Sequence, residues 1–356
     1  MLYQSMKRFV GRIFIMLLVG SPLFAQAGGS SVPFLLITPD ARASGMGECG
    51  TALADNINAI FWNTGGLAFQ QQQNHQFSFS YSKWLPQFNA DLYYAYGTYG
   101  QYVPDLDGTI AANVILMNLG QFQRTDENGG VHGTFRSDEF ALGLSYGTLI
   151  GDDLGAGVQL RYIRSNLAPA QAGQTAAGIG VSGGFDFGLL WKPSSLRISD
   201  DIDFSDMINL GFNLANVGPK MTYRNESDPL PTMLKLGIAI NAIHDEFNDL
   251  TFAVDMGKLL VKRNATSSDA LPRSFVTAWS VGGQEFSFGT EYWYEKVVAL
   301  RAGYFTEPAS IGNRKFLTFG AGVKYDIFTL DFSFINTIEE NHPLANTMRF
   351  SALVNW

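Results

Sequence analysis

Between Phe316 and Trp356 large apolar side chains recur at every second position. Leu317, Phe319, Ala321, Val323 and Tyr325 alternate with Thr318, Gly320, Gly322 and Lys324; Phe328, Leu330, Phe332 and Phe334 alternate with Thr329, Asp331 and Ser333. Met348, Phe350, Ala352, Val354 and Trp356 then alternate with Arg349, Ser351 and Asn355. A strand sends successive side chains to opposite faces, so each segment has one greasy face and one small or polar face. A soluble sandwich would bury its bulky face under a polar exterior. Here the second face is made of Gly, Ser, Thr and single charges, which fits the inside of a closed sheet whose bulky face meets lipid.

Fourteen alternating segments of this kind follow residue 75, most near the about nine to eleven residues that a tilted strand needs to cross a bilayer. Two of them are read as 108 to 118 and 138 to 149, with a loop over 119 to 137 between them. Connections alternate in length. Gly151 to Asp153, Ile243 to Asn248, Glu295-Lys296 and Asp326-Ile327 are short, while 119 to 137, 217 to 231, 260 to 283 and 337 to 346 are long. Membrane barrels put short turns on the periplasmic side and long loops outside; only 193 to 206, with Asp200, Asp201, Asp203 and Asp206, is long on the wrong side. A mean hydropathy of +0.03 suits a wall of which half faces inward, and 13% aromatic residues with 38 glycines suit girdles outside and close packing inside. The expectation is an all-β, fourteen-stranded antiparallel transmembrane β-barrel over 75–356, with a short N-terminal helical plug over 28–74. The plug text, Pro33 to Phe69, suggests one or two short helices, with a cap at Ser44 and a stop at Gly65-Gly66.

Residues 1–27 read as a secretory signal peptide: Lys7, Arg8 and Arg12, an apolar run from Ile13 to Phe24, then Ala25-Gln26-Ala27. The apolar run is too short to span a membrane. Its removal leaves a chain more acidic than the full sequence at −8, which argues against nucleic acid as a partner. Cys49 is the only cysteine, so no internal disulfide forms, and it reads as a small packed residue.

Three opposite-sign pairs mark the inward face. Lys235 and Asp255 flank one turn, Glu291 and Arg301 flank the next, and Lys324 and Asp331 lie nearly opposite across Asp326-Ile327. Cross-strand neighbours of opposite sign attract modestly, which predicts a self-neutralised, packed lumen rather than a charged translocation path.

Chemistry-bearing motifs are poor. Gly178, Gly180 and Gly183 match GxGxxG without the strand before and helix after that a nucleotide fingerprint requires. Counting Asp201 as the first position of an EF-hand loop puts Asp206 where glycine belongs and Phe212 where glutamate belongs. His75, His132, His244 and His342 have no metal-ligand spacing, and no GxSxG, HExxH or P-loop is present. Asn225-Glu226-Ser227 and Asn264-Ala265-Thr266 fit the glycosylation sequon in predicted external loops. No catalytic residue, metal or cofactor is expected.

The run PFLLITPDARASGMGECGTALADNINAIFWN resembles the start of the PorV family, outer-membrane barrels of the type IX secretion system related to the FadL fatty-acid transporters. The likeness continues through Leu160 to Leu167, Leu210 to Tyr223, Lys258 to Val261, Leu300 to Pro308, Arg314 to Phe316 and Asn346 to Ser351. One departure is Asn63-Thr64-Gly65-Gly66, where the wider superfamily has Asn-Pro-Ala after the tryptophan. The aromatic C-terminus resembles the signal that barrel-assembly machinery reads. The lack of catalytic motifs speaks for a protein that is not an enzyme, and the resemblance implies an integral outer-membrane, fourteen-stranded barrel that is not itself the protein-conducting pore. It would collect secreted cargo by its C-terminal signal domain from the type IX translocon barrel and deliver it to the surface sortase or attachment complex, amid outer-membrane lipid and lipopolysaccharide. The external loops 119 to 137, 217 to 231 and 260 to 283 are the expected cargo contacts, with Arg224, Lys262 and Arg263 as polar anchors. The rival readings are a FadL-like transporter of hydrophobic small molecules, which predicts an apolar pocket leading to a gap in the wall, and an enzyme acting on lipid A, for which no motif speaks.

Overall fold

The computed structural model describes residues 29–71, 75–88, 91–125, 128–168, 178–199, 202–224, 226–264, 267–339 and 342–356. The predicted signal peptide lies outside them, as do Asp200, Asp201, Asn225, Ala265 and Thr266. Fourteen strands close into one barrel. They are β1 His75–Lys83, β2 Tyr93–Val103, β3 Gly108–Thr125, β4 Val131–Ile150, β5 Leu154–Ala168, β6 Gly178–Trp191 and β7 Ile208–Val217. The second half comprises β8 Met233–His244, β9 Asn248–Leu259, β10 Gln284–Tyr294, β11 Val298–Thr306, β12 Lys315–Tyr325, β13 Phe328–Thr337 and β14 Met348–Asn355. Each pairs antiparallel with its chain neighbours, and β14 returns to β1 with Phe79 opposite Ala352.

Alternation decides which face goes where. On β1 Phe77, Phe79 and Tyr81 are exposed while Ser78, Ser80 and Ser82 are buried, and on β12 Leu317, Phe319 and Val323 are exposed while Thr318 is buried. A sheet with a greasy exterior is tolerable in hydrocarbon only if its backbone groups are all paired, and closure removes the edges that would break that rule.

The rim that carries His75 and Trp356 has the tight turns, and the opposite rim has the long connections. One expectation fails there. Residues 119 to 137 are not a loop: β3 and β4 stay paired as far as Thr125 and Val131, and Phe122 stacks on Phe135 with ring centres 5.7 Å apart. At about 3.3 Å per residue this two-stranded arm stands roughly 20 Å beyond the rest of the wall. Backbone pairing above the membrane needs no apolar face, so alternation stops where the strand does not. The 193 to 206 connection is folded in part as a small hairpin, Arg197–Ser199 with Ile202–Asp203.

Candidate functional site

The N-terminal segment fills the barrel. It begins at the far rim, where the Ser31 amide donates to Pro229 O (2.9 Å), and descends through the lumen towards β1. Its two short helices are α1 Ala41–Gly45 and α2 Ala59–Trp62. The cap of α1 is Asp40 rather than the expected Ser44: Asp40 accepts from the Ala43 amide at 2.9 Å, and its second oxygen accepts from the Trp62 indole at 2.6 Å. A carboxylate preceding the first turn satisfies amides that a serine inside the helix cannot reach. Ser44 instead accepts from the Arg349 guanidinium. Gly65 and Gly66 do not end a helix but lie inside a 3-10 turn, Thr64–Phe69, which follows α2 directly.

The plug touches the wall at backbone distance. A Cβ at Gly303 would come within 2.0 Å of the Gly47 nitrogen, and one at Gly157 within 2.1 Å of Thr64 O. Polar side chains of the wall then serve as partners for plug backbone. Asp255 accepts from the amides of Gly50 and Thr51, both at 2.9 Å, Ser351 from that of Ala41 at 2.7 Å, and Gln76 from that of Ile57 at 3.1 Å.

Charges inside the wall form a network whose main links skip a strand. Glu291 and Arg301 are directly opposite across β10 and β11 and lie 2.6 Å apart. Arg301 also reaches Asp331 on β13 at 2.7 Å, and Arg42 of the plug joins the carboxylates of Glu291 (2.7 Å) and Asp55. The expected Lys324–Asp331 pair is corrected: Asp331 stands opposite Gly322, while Lys324 stands opposite Thr329, exposed at the turn-bearing rim. The Lys235–Asp255 pair is corrected too. Asp255 stands opposite Gly237 and holds the plug, whereas Lys235 lies 3.9 Å from Glu285 on β10 and 4.8 Å from the Trp62 ring centre. In both cases a glycine of the intervening strand leaves the crossing open: Gly257 lies between Lys235 and Glu285, and Gly322 beside Arg301 and Asp331. Counting residues from a turn sees only adjacent strands, so these partners were missed.

A second buried pair, Arg161 and Asp186 at 2.5 Å, lies under the β5 and β6 wall, where Asp186 also accepts from Gln159 and from the Asn216 amide. A void of about 40 Å³ remains in the lumen between Arg161, Trp62, Lys235 and Arg314.

Larger spaces lie elsewhere, a groove and a cavity among them. On the lipid side, β6 loses its ladder to β7 beyond Phe185, and a groove of about 670 Å³ opens there, lined by Leu142, Leu144, Leu160, Tyr162, Val217 and Pro219. At the far rim, a cavity of about 560 Å³ opens above the plug, with Trp84, Phe88, Met117, Ile311 and Leu344 among its walls. Elsewhere on that rim, connections 217 to 231 and 260 to 283 are tied to each other and within the second. Arg263 meets Asp228 at 2.7 Å, Lys262 donates to Ser280 at 3.0 Å, and Lys220 donates to Ser268 O at 2.8 Å. Arg224, by contrast, is exposed at the tip of a hairpin, Met221–Tyr223 with Glu226–Asp228. Among the described residues, no group of three or more His, Cys, Asp or Glu is placed to hold a metal ion.

A fourteen-stranded barrel with a greasy exterior and a lumen sealed by its own N-terminal segment is an integral outer-membrane protein of the FadL-like architecture. The chain belongs to the family described as type IX secretion system protein PorV, which it matches over residues 25–266. The fold is shared with the toluene transporter TodX of Pseudomonas putida, at 13% identity with a TM-score of 0.53 over 94% of this chain and 99% of the other. It is shared as well with a FadL homologue of Pseudomonas aeruginosa, at 12% identity with a TM-score of 0.52 over 92% and 99% of the two chains. No curated protein matches the chain.

Proposed function

We propose that this type IX secretion system protein is a non-enzymatic carrier. It binds the C-terminal signal domain of secreted cargo at the far rim and passes that cargo from the translocon barrel to the surface sortase or attachment complex. The observation that supports this reading is the division of the molecule into a sealed lumen and an elaborated rim. Above a lumen packed by the N-terminal segment, the rim presents a projecting β3–β4 arm and two cross-tied connections, which are surfaces of the kind that carry binding. Arg224, Lys262 and Arg263 are the proposed polar contacts. The test is capture of an isolated cargo signal domain by the purified barrel. Deleting 121 to 135 together with 221 to 228 should abolish capture, and unchanged capture would remove the rim from the reading.

The lipid-facing groove between β6 and β7 favours a second reading, transport of hydrophobic small molecules. Behind that groove stand the Arg161–Asp186 pair and a lumen with about 40 Å³ to spare, and Ser182 donates to Pro219 O at 3.0 Å across the parted strands. Binding pockets for such ligands usually offer about 300–1,000 Å³ inside the fold, so the carrier reading is preferred. Uptake of a hydrophobic tracer by vesicles containing the barrel, at the rate given by a known transporter, would reverse that order.

A further inference from the structure

At the wall of the far-rim cavity stands Glu139, 5% exposed. Its carboxylate accepts one hydrogen bond, from Ser165 at 2.6 Å, and has no cationic partner among the described residues. Strand register explains why. On the inward face, the positions around it are Ile115, Met117, Ser137, Ala141, Ile163 and Ser165, none of them basic. The other charges lining the cavity are matched. Arg314 is held by both oxygens of Glu307 at 2.7 and 2.8 Å, and Arg349 lies 3.9 Å from Glu48 and bonds Ser44. A buried carboxylate without a cation is costly, and a ligand cation placed on it would offset that cost.

We infer that the far-rim cavity is a subsite for a polypeptide segment that places apolar side chains against Trp84, Phe88, Met117 and Leu344 and a lysine or arginine on Glu139. The inference rests on the carrier reading for the source of that segment: the cavity opens on the far rim beside the root of the β3–β4 arm at Leu119, between the connections that carry Trp84 to Phe88, Ile311 to Arg314 and His342 to Leu344. The chemistry of that segment follows from the lining: about 560 Å³ of mainly apolar wall accepts two or three large side chains, and the one unmatched charge among its described residues is negative. The plug closes the cavity below through Phe34, Leu36 and Ile37, so the segment enters and leaves by the same mouth.

The test uses the purified mature barrel in detergent and three labelled peptides with one apolar sequence, differing at a single position that holds lysine, norleucine or glutamate. The lysine peptide should bind about tenfold tighter than the norleucine peptide, the lower end of what a desolvated charge pair gives, and the glutamate peptide more weakly than either. In Glu139→Gln the three affinities should converge. Equal affinities in the unaltered protein, or a lysine preference that survives Glu139→Gln, would overturn the inference. Should that variant fail to fold, Met117→Lys supplies the same answer. It sets an ammonium directly opposite Glu139 on β3 and should erase the preference; a preference that persists counts against the site. Hexylamine competing as well as the lysine peptide would overturn the assignment to a polypeptide. Capture of the whole signal domain is measured in parallel: capture without charge preference removes only this subsite, and loss of both removes the carrier reading with it.

Discussion

Arg301 has a fully buried side chain and two carboxylates within 2.7 Å, Glu291 and Asp331. Removing it leaves two buried negative charges facing each other across β11 and β12, with only Arg42 to answer Glu291. Arg301→Met is therefore expected to cost about 3–5 kcal/mol, the usual penalty for breaking one side of a buried ion pair. The measurement is urea unfolding in detergent, followed by the mobility difference between folded and unfolded barrel. Lys324→Ala, at the exposed rim, should stay within about 0.5 kcal/mol of the parent; equal losses for the two would disprove the strand-skipping network. Outside the membrane, in the turn between β8 and β9, Asp245 accepts from the amides of Phe247 and Asn248, and these bonds hold its carboxyl below the ordinary aspartate value. A depressed acid contributes stability above its unfolded pKa and loses it as pH falls through the folded one, so this turn should loosen only in strong acid. A carboxyl titration placing Asp245 at or above the value for free aspartate would contradict the geometry.

At the scale of elements, the strands were legible, as was the Glu291–Arg301 pair between neighbours, but the charge partners that skip a strand were not. Phe328, Leu330, Phe332 and Phe334 announce β13 because lipid accepts only one kind of face, and that pressure acts at every second position. Nothing comparable acts on an inward charge, whose partner is chosen by curvature and by which neighbour lacks a side chain. Gly257 and Gly322 are the sequence signal that was available, since a glycine between two strands bearing opposite charges is the gap through which those charges meet. The plug was legible as an element, from its loss of alternation, but its contacts were not: Asp255 read as half of a wall pair and is a clamp on Gly50 and Thr51. The plug fills the lumen together with the inward wall side chains, so a chain lacking residues 29–71 should form a barrel that conducts ions across a planar bilayer, whereas the intact chain should not. Equal conductance from both would mean that the seal is made elsewhere.

For the whole molecule, closure is the step on which the rest depends, because thirteen well-formed hairpin contacts still leave two edges in hydrocarbon until β14 meets β1. That seam runs from Gln76 opposite Asn355 to Ser82 opposite Arg349. At its end the His75 amide donates to Trp356 O at 2.9 Å and the Trp356 amide to His75 O at 3.0 Å. The indole of Trp356 also stacks on the His75 ring, with centres 5.5 Å apart and planes 19° from parallel, and lies 6.5 Å from the Tyr99 ring. These three rings join the last residue to the first two strands at the turn-bearing rim, where aromatic side chains sit well between hydrocarbon and water. Trp356→Ala removes the stack but keeps both backbone bonds, and stacked aromatic pairs contribute about 0.5–1.5 kcal/mol beyond the area they bury. The folded barrel should lose roughly that much stability, plus the burial of the indole, in the same urea assay. Trp356→Phe, which keeps a ring at the seam, should recover most of the loss. If alanine and phenylalanine behaved alike, the contribution of the last residue would lie in its backbone pairing alone, and the aromatic seam would have no part in holding the barrel shut.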